Sequence, residues 1–96
     1  MSSLLSPSTL VIDVRSPAEF ASGHLDGAVN LPLDRLAGLC AQALPDHQAD
    51  IVVYCAAGGR SAMACRMLGE LGYRRVRDGG ALSVLALGCG RPLRQG

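Results

Sequence analysis

The sequence predicts an α/β fold: a small parallel sheet of four to five strands with helices on both of its faces. Two β-branched runs carry no polar alternation, Thr9–Val14 and Ile51–Tyr54, which is typical of strands buried on both sides of a sheet. Strand patterns and helical patterns alternate four times along the chain. This alternation predicts parallel strands joined by right-handed helical crossovers, in three layers.

Length and composition restrict the chain to one domain that spans residues 1–96, of ordinary globular character. Hydrophobic residues make up 49%, aromatic residues 3%, and the net charge is +1. This balance indicates neither a nucleic-acid partner nor a membrane partner. Met1–Ser8 lacks the charged start and apolar centre of a signal peptide, so we expect a cytoplasmic protein, or a periplasmic one if a signal had been removed.

The first strand ends close to two charged residues, Asp13 and Arg15. They could form an ion pair at the strand end, or they could brace a catalytic loop on the neighbouring strand. The sequence favours the structural role. Ser16–Glu19 has the pattern of a capping box with proline at the first helical position, which predicts a short helix to Ser22.

The remaining elements follow from shorter patterns. We expect two strands, two helical segments, one tight turn and frayed ends at the following positions: strands Ala28–Leu31 and Arg75–Arg77, helices Asp34–Leu44 and Leu82–Leu87, the turn Asp78–Gly80, and termini 1–8 and 91–96. His24 lies in a turn and could be a catalytic base, although a hydrogen bond that organises the turn is favoured. His47, among polar loop residues, is expected to be solvated.

The stretch with the strongest chemical signal begins where the strand Ile51–Tyr54 ends. Cys55 lies there, just before a helical pattern, and this edge of an α/β sheet is where catalytic groups collect. The small residues Ala56, Ala57, Gly58 and Gly59 let successive backbone N–H groups turn inward around one anion.

A cysteine inside such a ring should have a lowered pKa and react as the thiolate. Arg60 would add a cationic donor at the rim, and Ser61 would close the ring. The alternative is that Cys55 is only a small buried apolar residue. The other cysteines, Cys40, Cys65 and Cys89, form no C-x-x-C pair, which argues against a zinc site and against a disulfide framework.

Taken together, these motifs resemble the single-domain rhodaneses, a family of thiosulfate sulfurtransferases. The resemblance covers nearly the whole chain and rests on stretches in the expected order: Asp13–Arg15, Glu19–Phe20, Gly23–Ala28, Leu31–Pro32, Tyr54–Ser61, Leu71–Tyr73 and Gly79–Gly80. It implies a rhodanese-like fold in which Cys55 is the nucleophile and residues 56–61 bind the substrate.

The resemblance also implies a reaction in two halves, with no metal and no organic cofactor. Cys55 would take the outer sulfur from a small anionic donor such as thiosulfate and hold it as a persulfide. Cyanide or a thiol would then accept the sulfur. The thiol acceptor could be glutathione, a thioredoxin-like protein or a sulfur-carrier protein, and the sequence does not choose among them.

Two other functions remain open at this point. Cysteine-dependent phosphatases and arsenate reductases also place a thiolate in an amide-lined loop, but their signature has five residues between cysteine and arginine, whereas Cys55 and Arg60 have four between them. A non-catalytic rhodanese-like module that only binds or regulates would typically lack the cysteine.

Two smaller hypotheses concern residues outside the loop. Cys65 could resolve a persulfide or an oxidised Cys55, although its helical phase favours a place in the core. Arg74, Arg75 and Arg77 could steer anionic donors toward the site, although such clusters are more often a solvated face.

Overall fold

The computed structural model describes residues 5–96, in which six strands and four α-helices are present. The strands are β1 Leu10–Asp13, β2 His24–Leu25, β3 Val29–Asn30, β4 Ile51–Cys55, β5 Val76–Ala81 and β6 Leu93–Arg94. The helices are α1 Pro17–Ser22, α2 Leu36–Ala43, α3 Gly59–Glu70 and α4 Leu82–Cys89, with a 3-10 turn at Leu33–Arg35. None of these helices is long and apolar enough to cross a membrane.

The main sheet is parallel throughout, with strand order β3-β1-β4-β5. Asp13 pairs with Tyr54, so the carboxyl ends of β1 and β4 meet at one edge of the sheet. At the other end of β4, Ile51 pairs with Val76 of β5. Strand β4 is hydrogen-bonded on both sides and all five of its residues are buried. The predicted α/β fold with a four-stranded parallel sheet is confirmed.

The alternation of side chains along β4 divides the protein interior into two cores. Ile51, Val53 and Cys55 face the core beneath α2 and α3, where Leu36 and Leu68 are fully buried. The intervening residues of β4 face a second core, beneath α4, formed by Leu5, Val11, Leu25, Val52, Tyr54 and Leu85. Both faces of β4 are covered by apolar cores. Its sequence is therefore apolar throughout and does not alternate between apolar and polar residues.

A short strand lies within residues 91–96, the segment predicted as a frayed tail. Strand β6 pairs antiparallel with β2, and Arg94 Nε donates to Asp26 Oδ1 at 3.0 Å. Strands β2 and β6 pair through two residues each, and their pairing joins segments far apart in the chain. At the other end, Leu5 is buried in the α4-side core, and the predicted fraying of residues 1–4 lies outside the described residues.

The segment Asp78–Gly80 belongs to β5 and is not the predicted tight turn. The register shifts there, from Val53 opposite Asp78 to Tyr54 opposite Gly80, so Gly79 lies in a bulge. A Cβ on Gly79 would approach Val52 Cγ1 to 2.9 Å, and it would also be 3.1 Å from atoms of Leu85 and Val53. The missing side chain of Gly79 therefore allows α4, a full helix of eight residues, to pack closely on the sheet.

Replacing Gly79 with alanine should destabilise the protein by about 1–3 kcal/mol, because the added methyl overpacks the contact between β5 and α4. The matched control is Gly69→Ala on α3, where an added Cβ meets nothing within 4 Å. Alanine there should stabilise by up to about 1 kcal/mol through helix propensity. Urea unfolding of both variants measures the difference, and equal stabilities would contradict the packing role of Gly79.

Candidate active site

Cys55 is the last residue of β4, and its side chain is held inside the loop that follows. Its residue exposure is 1%. Gly58, the residue before α3, has φ +104° and ψ −18°, a left-handed conformation that glycine adopts without strain. This turn brings the Gly58 N–H to 2.9 Å and the Ser61 N–H to 3.4 Å from Cys55 Sγ. The sulfur therefore lies in a ring of backbone donors at the start of a helix.

Ser61 closes this ring from the other side. It is fully buried, and its hydroxyl donates to the Gly58 carbonyl oxygen at 3.0 Å. The Ala62 N–H donates to the same carbonyl at 3.2 Å. The two ends of the loop are thus tied together.

The electrostatics of the loop favour the thiolate form of Cys55. Burial away from water is the largest single influence and by itself would raise the pKa of this thiol. Hydrogen bonds from Ser61, Gly58 and Ala57 act in the opposite direction and together outweigh burial, so the pKa of Cys55 lies below its ordinary value. The site therefore favours the nucleophilic thiolate more than an unperturbed cysteine would.

Arg60 is paired with a carboxylate that the sequence analysis did not include in the site. Its Nη1 and Nη2 donate to Glu19 Oε1 and Oε2 at 2.7 and 2.9 Å. The same carboxylate accepts the Ser16 N–H at 3.0 Å, which completes the predicted capping box of α1. Hydrogen bonds from Arg60, and then from the Ser16 backbone, lower the pKa of Glu19 to about 2. Glu19 thus joins α1 to the active loop.

Asp13 and Arg15 form a buried ion pair at the carboxyl end of β1. Asp13 is fully buried and Arg15 is 6% exposed, with Arg15 Nη2 2.7 Å from Asp13 Oδ2. The same Nη2 donates to the Gly23 carbonyl at 2.7 Å, and the guanidinium carbon lies 5.7 Å from the ring centre of Tyr54. The pair thus holds the end of β1 against the residue that precedes Cys55.

Contacts with two aromatic residues, Tyr54 and Phe20, hold the segment between α1 and β3 in place. The Leu25 N–H donates to the Tyr54 hydroxyl oxygen at 3.0 Å. His24 stacks on Phe20 with 3.7 Å between ring centres, and its Nδ1 is 2.8 Å from the Phe20 carbonyl oxygen. These contacts fit the turn-organising interpretation of His24. His47 is exposed as predicted, but it also stacks on Tyr73, at 4.3 Å.

Two hypotheses concerned residues outside the loop, Cys65 and a group of arginines. The fold places both away from the Cys55 sulfur. Cys65 packs against the core beneath α2 and α3, with Sγ 3.7 Å from the Val76 carbonyl oxygen, and burial raises its pKa. Arg74, Arg75 and Arg77 lie where β5 begins, and Arg77 Nη2 contacts both carboxylate oxygens of Asp50 at 2.8 Å. That edge is about 13 Å of strand from Cys55, at ~3.3 Å per residue.

The arrangement suits nucleophilic chemistry on an anionic substrate. A buried, hydrogen-bonded cysteine at the end of a central parallel strand is surrounded by N–H donors and flanked by an arginine–glutamate pair. Within residues 5–96, no three His, Cys, Asp or Glu side chains are grouped so that they could hold a metal ion. Fold and site together define the class of α/β proteins that hold a reactive cysteine in an anion-binding loop.

Comparison with known proteins identifies the family within this class. Residues 2–82 match the family described as the Rhodanese-like domain, and the chain belongs to this family. The resemblance seen in the sequence motifs is therefore confirmed.

Individual relatives share both sequence and structure with the chain. Thiosulfate sulfurtransferase PspE of Escherichia coli is 40% identical over 76 residues, which cover 79% of this chain and 73% of that protein. Thiosulfate sulfurtransferase GlpE of Shewanella oneidensis is 39% identical, with 76% and 72% covered. A solved rhodanese with anions from E. coli superposes with a TM-score of 0.84 at 36% identity, covering 92% of this chain and 99% of that one.

Alkylation of the thiols by iodoacetamide should separate Cys55 from Cys65. Cys55 should react with a midpoint below 9.0, the ordinary thiol value, because the loop donors stabilise its thiolate. Cys65 should react more slowly and titrate above that value, because burial disfavours its charge. Peptide mass spectrometry across a pH series reads both residues in one sample. Coincident midpoints would contradict the proposed role of the loop N–H groups.

Replacing Glu19 with glutamine should keep the capping box but remove the ion pair with Arg60. Because the pair is partly exposed and screened by solvent, the loss at neutral pH should be at most about 1 kcal/mol. The folded-state pKa of Glu19 lies below its unfolded value, so this stabilisation is present above pH 4.5 and lost as pH falls through about 2. Urea unfolding of wild type and Glu19→Gln at pH 7 and pH 2.5 measures it, and an equal difference at both values would contradict the ion pair.

Proposed function

We propose that this protein is a thiosulfate sulfurtransferase that carries the transferred sulfur as a persulfide on Cys55. The observation that supports it most directly is the position of Cys55 Sγ, buried at the end of β4 and 2.9 and 3.4 Å from two backbone N–H groups. Relatives named thiosulfate sulfurtransferase, each about 40% identical over most of the chain, give independent support. The protein is thus an enzyme of the rhodanese type.

In the first half of the reaction, the Cys55 thiolate attacks the outer sulfur of thiosulfate. A bond forms between Sγ and that sulfur, the sulfur–sulfur bond of the donor breaks, and its electron pair leaves with sulfite. The enzyme is left with a Cys55 persulfide, which is itself an anion. The N–H groups of residues 56–61 stabilise this charge.

In the second half, a nucleophilic acceptor attacks the outer sulfur of the persulfide. The bond between that sulfur and Cys55 Sγ breaks, and its electron pair returns to Cys55 as the thiolate. Cyanide leaves as thiocyanate, and a thiolate leaves as its own persulfide. The low pKa that makes Cys55 a nucleophile in the first half also makes it a good leaving group in the second.

The ion pairs around the loop support this chemistry without taking part in bond changes. Arg60 has both Nη atoms on Glu19, so the pair carries no net charge and the backbone N–H groups supply most of the attraction for the anion. Asp13 and Arg15 hold the end of β1 against the start of the loop. Their contribution is to keep the donor ring in place rather than to contact the donor.

Incubation with thiosulfate, followed by removal of excess reagent, should add one sulfur atom to the intact mass of the wild-type protein. Cyanide should then remove it. Cys55→Ser should gain nothing, because serine cannot form the persulfide. Cys65→Ser serves as the matched control and should gain sulfur like wild type, since Cys65 lies in the core. No gain in wild type would contradict the function and favour a non-catalytic binding module.

A further inference from the structure

An open groove of about 680 Å³ lies beside the active loop. Residues that follow the carboxyl ends of β1 and β3 form part of its wall, so it opens at the same edge of the sheet as Cys55. Arg60 forms another part, and the next residue, Ser61, donates its N–H to the Cys55 sulfur. The groove therefore borders, at Arg60, the loop that would hold the persulfide.

The groove is larger than either small substrate of the proposed reaction requires. Thiosulfate has five heavy atoms and cyanide has two, whereas pockets of about 300–1,000 Å³ typically hold organic ligands of drug size. Its apolar lining includes Pro17, Leu33, Met63 and Met67, and Met63 is 56% exposed. Such a surface suits the carbon chain of an organic molecule rather than an inorganic anion.

The charged side chains in the wall indicate which organic molecule fits. Arg60 is already paired with Glu19. Asp34 and Arg35 are both exposed and adjacent in the 3-10 turn, and neither takes part in an ion pair within residues 5–96. The groove therefore offers one unpaired cation beside one unpaired anion, a combination complementary to a zwitterion.

We infer that the groove binds the organic sulfur acceptor, and that this acceptor is a zwitterionic amino-acid or peptide thiol. Its carboxylate meets Arg35, its ammonium group meets Asp34, and its carbon chain lies on the apolar lining. The inference rests on the proposed function, because only a Cys55 persulfide has sulfur to give. Arg35 and Asp34 are then specificity-determining residues for the second half of the reaction.

The chemical step needs no additional reactant. The acceptor thiolate attacks the outer sulfur of the Cys55 persulfide, a bond forms between those two sulfurs, and the bond to Cys55 Sγ breaks. The electron pair returns to Cys55 as the thiolate, and the acceptor leaves as its persulfide. One sulfur atom moves between two thiolates, so oxidation and reduction balance within the pair.

The test uses enzyme first charged with thiosulfate and freed of excess reagent. Its sulfur is then discharged by four thiols: cysteine, which is zwitterionic; 3-mercaptopropionate, which carries only a carboxylate; cysteamine, which carries only an ammonium group; and 2-mercaptoethanol, which is neutral. Each second-order rate is divided by the rate with cyanide for the same variant, so differences in persulfide reactivity cancel. Comparing variants within one acceptor also cancels differences in thiol pKa.

Two charge-removing variants should give opposite patterns. Arg35→Gln should lower the relative rates for cysteine and 3-mercaptopropionate about 3- to 5-fold more than that for 2-mercaptoethanol, the size expected of an exposed ion pair. Asp34→Asn should lower the relative rates for cysteine and cysteamine by a similar factor compared with that for 2-mercaptoethanol. Arg66→Gln, on the exposed part of α3 outside the groove, is the matched control and should change none of the ratios.

The outcomes separate this inference from the proposed function. If thiosulfate charges the enzyme and cyanide discharges it, but both variants affect all four thiols equally, the acceptor assignment is overturned while the sulfurtransferase stands. A loss confined to a reduced thioredoxin-like protein as acceptor would assign the groove to a protein partner and also overturn the inference. Failure of thiosulfate to charge wild type would overturn the proposed function itself.

Discussion

The hydrogen bonds from the Gly58 and Ser61 N–H groups to Cys55 Sγ are the interactions on which the rest of the structure depends. They require a left-handed residue directly before α3, a helix that begins at the sulfur, and a strand that ends there. All three features lie in one continuous stretch of the chain, from β4 through Gly58 into α3. A buried thiolate without those donors would be strongly disfavoured, because burial alone raises the pKa of Cys55.

The surroundings of the loop keep this ring rigid in a protein of only 96 residues. The buried pair of Asp13 and Arg15 fixes the end of the neighbouring strand, and Glu19 connects the loop to α1 through Arg60. In both pairs the arginine already donates to a carboxylate. Backbone N–H groups are the donors that contact the sulfur, and Arg35, in the wall of the adjoining groove, forms no ion pair within residues 5–96.

Much of this architecture follows from local patterns in the sequence. The uninterrupted apolar run Ile51–Tyr54 predicted a central buried strand, and the capping box at Ser16 predicted α1 at its observed start. The errors fell where local signals were weak or ambiguous. A glycine pair ordinarily indicates a turn, but Gly79 lies within β5 because α4 must approach the sheet closely. The tail pairs with β2 through two residues, and the two strands lie far apart in the chain.

The sequence by itself determined the sheet, the position of Cys55 at a strand end and the small residues that follow it, because these depend on neighbours in the chain. Only the tertiary structure decided which charges meet. Arg60 pairs with Glu19, 41 positions away, and the arginines at the start of β5 lie at the edge opposite the sulfur. Which charged side chains form ion pairs depends on their distances in three dimensions. The spacing of residues along the chain does not give those distances.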